Sequence, residues 1–166
     1  MTTPAPRVLV AGVGNVYRGD DGVGPVVAAR LGPTLPSTVR TLEGIQDPLL
    51  VIEAWDGAEL AVVIDAVVST ERPGTVHVLE VAGPLPAMFR RLSSHLFSVA
   101  QVIELGHVLG RMPARLVVIG VEAADMGQGR VGLSPVVEAA VDDVVARVRV
   151  LVADHLGATR EGVGNA

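Results

Sequence analysis

The chain has 166 residues, enough for one domain with a substantial core, and a net charge of −5, which argues against nucleic acid or an anionic membrane as its main partner. It contains no cysteine, so disulfides, thiol nucleophiles, cysteine-bound zinc and iron–sulfur ligation are excluded; all 13 basic residues are arginine, which removes Schiff-base chemistry and the phosphate-binding lysine of a P-loop. No stretch approaches the length of a membrane span and Met1–Arg7 lacks a signal-peptide core, so the expected location is the cytoplasm and the remaining chemical options are carboxylates, four histidines, hydroxyls and metal.

Residues 1–6 read as an N-terminal extension. Arg7–Ala11 is a short aliphatic run closed by Gly12, the pattern of a buried strand. Val23, Val26, Val27 and Leu31 then have helical spacing over Gly22–Leu31, with Asp20 and Asp21 placed at the positive helix N-terminus. Thr38–Leu42 is a second strand, and Pro48–Trp55 a second helix with Asp47 as its N-cap. Leu60–Ile64 is a third strand, ended by Asp65. Arg72-Pro73-Gly74 turns the chain into a strand at Thr75–Val81. A short helix is expected around Ala87–Leu92, and a longer one from His95 to Leu109. Arg115–Ile119 is the next strand. After a polar loop from Glu122 to Gly132, Ser134-Pro135 opens a helix reaching about His155, with valines along one face. Residues 7–156 thus form one domain, and 157–166 a frayed tail.

Strands alternating with helices imply a three-layer α/β fold, a twisted, mostly parallel sheet flanked by helices on both faces. Right-handed crossovers place the strand C-termini along one edge, and ligands bind there near a switch in strand order. Asp21 and Asp65 follow the first and third strands, which is the physical reason to expect them together. Two carboxylates with an imidazole, that of His95, would bind a transition metal. Taken singly, each has an ordinary role: helix-start charges for Asp20 and Asp21, a turn for Asp65, a capping neighbour for His95.

Other motifs carry less. Gly12-Val13-Gly14 follows a strand, but Tyr17 stands where a dinucleotide fingerprint needs its third glycine, and two carboxylates would repel a pyrophosphate. Glu104-Leu105-Gly106-His107 is a lone Glu-x-x-His and reads as a surface face. His77 and His155 read as solvated. Neither a Gly-x-Ser-x-Gly elbow nor a His-Glu-x-x-His motif is present.

The segments Gly12-Val13-Gly14-Asn15 with Gly19-Asp20-Asp21-Gly22-Val23-Gly24, then Val63-Ile64-Asp65-Ala66-Val67, Ser94-His95, Gly120-Val121-Glu122 and Gly132-Leu133-Ser134-Pro135 occur in an order that resembles the nickel–iron hydrogenase maturation endopeptidases. The resemblance covers about Val8–Val148. It implies a peptidase that trims the C-terminus of a hydrogenase large-subunit precursor, with Asp21, Asp65 and His95 as metal ligands and Asn15 and Asp20 shaping the loop that presents Asp21. It further implies that the nickel is borne by the substrate rather than resident; no nucleotide cofactor, nucleic acid or membrane partner is expected, and the expected state is a monomer. Many members carry an Asp-Gly-Gly-Thr-type segment after the second strand; here Glu43-Gly44-Ile45-Gln46-Asp47-Pro48 keeps one glycine of it. The rival expectations are a nucleotide- or dinucleotide-binding α/β domain and a non-catalytic hydrogenase maturation chaperone.

Overall fold

The structure, a computed structural model, describes residues 7–83 and 98–163, with side chains of the last helix as far as Thr159. The expected helix at Ala87–Leu92, and His95 with the start of the next one, lie outside the described residues. In chain order the elements are β1 (Val8–Val13), α1 (Val23–Leu31), β2 (Val39–Ile45), α2 (Pro48–Trp55), β3 (Leu60–Val67), β4 (Val76–Glu80), α3 (Val99–Leu109), β5 (Arg115–Glu122) and α4 (Pro135–Val163). A 3-10 turn over Gly19–Gly22 leads into α1. Among the described residues, no helix is long and apolar enough to cross a membrane.

The sheet order is β2-β1-β3-β5-β4, with β4 antiparallel to β5 and every other pair parallel. The central strands β1, β3 and β5 are continuous aliphatic runs because both of their faces are covered. Side-chain alternation divides the core into two layers. Leu9, Ala11, Ala61, Val63, Leu116 and Val118 pack against α2 and α3 around Trp55. Val8, Val10, Leu60, Val62, Val117 and Ile119 pack against α1 and α4, whose valines 137, 141, 144 and 148 form the buried stripe.

Four strands, β1, β2, β3 and β5, run further toward their C-terminal ends than the aliphatic runs alone indicate. The β3–β5 ladder continues through Asp65↔Gly120, Ala66↔Val121 and Val67↔Glu122. Asp65 therefore lies inside β3 rather than in the loop after it, because backbone pairing outlasts the apolar pattern when a neighbouring strand still offers partners. By alternation Asp65 shares the face of Val63 and Val67, the α2/α3 side. The last helix likewise continues to Val163 instead of fraying at Gly157: glycine costs about 1 kcal/mol in a helix, and the following Ala158, Arg160 and Glu161 are good helix formers. At the sheet edge, Ala11 pairs with Leu42 but Val13 with Ile45, so β2 holds one residue more than β1 there. Gly44 absorbs this bulge with φ +66°.

The chain reverses direction across the sheet between β1 and β3, since β1 leads outward to β2 and α2 leads back to β3. The crevice at such a switch point is where α/β sheets bind ligands. Glycines bring α1 onto it. A Cβ at Gly24 would coincide with the carbonyl oxygens of Val13 and Ile64, and one at Gly12 with that of Gly24. Gly24→Ala is therefore expected to lower the unfolding free energy by about 3 kcal/mol through overpacking against rigid backbone. Urea denaturation checks this, and an unchanged midpoint would contradict it.

Candidate active site

Asp20 is fully buried in the 3-10 turn, and its carboxylate accepts four hydrogen bonds. The Ala124 and Asp125 amides donate to Oδ2 at 2.8 and 2.9 Å, the Ser134 hydroxyl donates to Oδ2 at 2.8 Å, and the Ser134 amide donates to Oδ1 at 2.6 Å. All four donors come from the connection between β5 and α4. Ser134 precedes the first residue of α4, and its carbonyl accepts the first bond of that helix from the Glu138 amide at 2.9 Å, while its hydroxyl serves Asp20. Backbone bonds extend the attachment: Gly19 N–H to Arg130 O at 2.7 Å, Asp20 N–H to Asp125 O at 2.8 Å, and Gly129 N–H to Tyr17 O at 3.0 Å. Replacing a buried carboxylate that satisfies three amides leaves those donors unpaired, so Asp20→Ala is expected to cost about 3–5 kcal/mol. Chemical denaturation at neutral pH tests this, and a loss below about 1 kcal/mol would be incompatible with the four-donor arrangement.

Asp21 follows directly and is also buried. Its Oδ2 accepts from the Asn15 amide at 2.8 Å, while the Asn15 side chain accepts from the Tyr17 amide at 2.9 Å. Gly14, at φ +128°, lies so close beneath the Asp21 carbonyl oxygen that a Cβ would overlap it. Asn15 thus bonds the Asp21 carboxylate directly, while Asp20 anchors the turn beside it to the β5–α4 connection.

Asp65 is partly buried at the end of β3, and its pKa is pushed up from 3.8 to about 8. Burial is the largest cause and the negative charge of Asp21 the second; a backbone hydrogen bond from Ala66 opposes them. The two carboxylates are therefore close enough to feel each other, as the C-terminal ends of the neighbouring strands β1 and β3 require. Among the described residues no third histidine or carboxylate joins them as a metal-binding group. His95 lies outside the described residues. The helix that follows it starts at Val99, closed by a capping box in which Ser98 and Gln101 exchange bonds at 2.8 and 3.2 Å. Because Arg115 begins β5 at the opposite edge, five residues after Gly110, the N-terminus of α3 points to the edge that carries Asp65.

A second carboxylate cluster was missed in the sequence. Glu122, placed there in a polar loop, is the buried last residue of β5. Its Oε2 accepts from the Ser69 amide at 2.9 Å, and Oε1 bonds both the Ser69 hydroxyl and, at 3.0 Å, His77 Nε2. His77 is thus paired and mostly buried rather than solvated, and His155 likewise meets Glu59 at 3.1 Å. Serine and histidine both point at the carboxylate, not at each other, so this is a clasp on the loop after β3 and not a nucleophilic triad. The available signal was Val121, which continues the alternation of β5 past Gly120.

The structure thus sets Asp21 and Asp65 together at the switch point of the sheet, the place where α/β folds carry their sites. Comparison with known proteins narrows the class. Residues 33–150 match the family described as hydrogenase maturation protease. The hydrogenase expression/formation protein HupD of Rhodobacter capsulatus is 31% identical over 144 residues, covering 84% of this chain and 68% of that protein. The hydrogenase 2 maturation protease of Escherichia coli K12 is 29% identical over 146 residues, covering 86% and 88%. The solved structure of the E. coli hydrogenase maturating endopeptidase HybD superposes with a TM-score of 0.78 at 27% identity, covering 89% of this chain and 93% of that one. The chain belongs to the hydrogenase maturation protease family and is a peptidase.

The raised pKa of Asp65 has a measurable sign. The folded state keeps a proton that the unfolded state releases near 3.8, so stability falls as pH rises from about 4 to about 8 and is level above. Asp65→Asn removes this penalty. The variant is expected to gain on the parent by up to about 1.4 kcal/mol per pH unit across that window. Urea titrations at pH 5, 7 and 8.5 read the difference, and a pH-independent gap would refute the assignment.

Proposed function

We propose that this peptidase removes the C-terminal extension of a nickel–iron hydrogenase large-subunit precursor and selects precursor that already carries nickel. Family membership supports the reaction class, and the relatives are named for hydrogenase maturation. The observation that carries the metal reading is the electrostatic coupling of Asp21 and Asp65. Two carboxylates held together at a cost to the fold are a site whose repulsion a cation relieves, and the cation displaces the Asp65 proton as it does so.

In this reading the nickel is cargo of the substrate. Asp21 and Asp65 supply two oxygen ligands, and His95, four residues before the start of α3, supplies the nitrogen. Three ligands leave positions for those the precursor itself provides. Asn15 and Asp20 hold the Asp21 carboxylate in place, so docking costs little reorganisation and sets the scissile amide in one orientation. Water then adds to the amide carbonyl carbon, the C–N bond breaks, and the departing nitrogen takes a proton. Polarisation of that water falls to the cargo metal or to an adjacent carboxylate. The protein acts as a cytoplasmic monomer and needs no nucleotide.

Nickel-loaded and nickel-free precursor incubated with the protein, with the products weighed by mass spectrometry, test both halves of the reading. The tail is expected to leave only the loaded precursor. Asp21→Asn, Asp65→Asn and His95→Ala are each expected to slow release by about 100-fold while circular dichroism stays that of the parent. Equal cleavage of nickel-free precursor would overturn metal selection. Parental rates in all three variants would overturn the site, and tight binding without any cleavage would make the protein a chaperone.

A further inference from the structure

The exposed apolar side chains are not scattered evenly. Of the eleven large ones exposed among the described residues, seven belong to the segments that leave the C-terminal ends of β1, β2, β3 and β5. Val16 and Tyr17 follow β1, Leu49 and Leu50 open α2 after β2, Val68 follows β3, and Val131 with Val136 follows β5. Their exposures run from 40% for Val16 to 75% for Val131. These segments lie on both faces of the sheet, and Asp21 and Asp65 sit at the switch point between them. Scattered surface valines are ordinary, but an apolar group concentrated around a polar site marks an interaction surface.

We infer that this edge is a preformed docking surface for a folded protein whose contacting face is apolar around a cationic centre. The inference rests on the function proposed above and names the kind of contact by which the substrate is held. Width excludes a small ligand: β2 to β5 is three strand spacings, about 14 Å, before the loops are added. Charge decides against a second copy of this chain. A two-fold contact of the edge with itself would press one Asp21–Asp65 pair toward another, whereas a metal-bearing partner presents the opposite sign at that point. The surface is also held before the partner arrives. Tyr17 is tied by its carbonyl to Gly129, Arg130 next to Val131 is bonded to Gly19, and the loop starting at Val68 is clasped by Glu122 through Ser69. A rim fixed in this way loses little conformational entropy on binding.

The body of the precursor, rather than its tail, then supplies most of the affinity, and affinity separates from chemistry. Two paired variants, Tyr17→Ser with Leu50→Ser and Val68→Ser with Val131→Ser, test this, since all four positions are exposed and none bonds the carboxylates. Each pair is expected to raise KM for nickel-loaded precursor by at least about tenfold with kcat within about twofold of the parent. Titration of loaded precursor into the parent and the paired variants, read by calorimetry, is expected to show the same loss of affinity. This second readout does not depend on cleavage, so failure of the proposed reaction and failure of the docking surface are told apart. Unchanged KM and unchanged affinity in both pairs would overturn the inference, as would a parent that binds no precursor. A parental dimer in sedimentation that the serine variants dissolve would assign the rim to self-association and overturn it equally.

Discussion

The buried carboxylate of Asp20 is the interaction on which the rest of the site depends. An ionisable group with no access to water is tolerable only if its lone pairs are filled by donors, and here four donors do so. Because every donor belongs to the β5–α4 connection, two loops that leave separate strands are joined into one body. The glycines at positions 12, 14 and 24 are the steric counterpart, since they let the start of α1 approach strand backbone more closely than any side chain would allow. Asp21, one residue on, inherits a fixed position from a fully buried neighbour.

That fixity explains why Asp65 can be held in an unfavourable state. A flexible pair of carboxylates would separate and solvate; these are set by a strand ladder on one side and a buried anchor on the other. The energy of folding keeps apart from water a group that would be more comfortable ionised and exposed. Such local opposition to stability is typical of functional sites rather than of a core built for stability alone.

The architecture was legible in the sequence because its central strands are unbroken aliphatic runs and its helices carry clean valine stripes. Asp21 and Asp65 were legible for a topological reason: in a parallel sheet with right-handed crossovers, residues at successive strand ends share an edge. Strand length was less legible. Asp65 and Glu122 look like loop residues in a one-dimensional pattern, yet both lie in strands, because pairing depends on the neighbour rather than on the residue's own polarity. The Ser69–His77–Glu122 clasp was invisible for the same reason, its members being up to 53 residues apart and joined by the parallel β3–β5 ladder on one side and the antiparallel addition of β4 on the other. The double service of Ser134, next to a helix yet bonded to Asp20 more than 100 residues away, likewise has no local signature.

The bulge in β2 has a consequence for how such a protein diversifies. The extra residue at Glu43–Gly44 falls on a strand bordered by β1 alone, and beyond it Ile45 is again in register with β1. An insertion at an inner strand would shift two ladders and turn apolar side chains out of both core layers. At this margin the disturbance is confined to one glycine hinge and the few residues before α2. The segment that departs from the usual family pattern is thus one the sheet can let vary without moving either aspartate, so change at the margin and constancy at the switch point are separated by a single boundary strand.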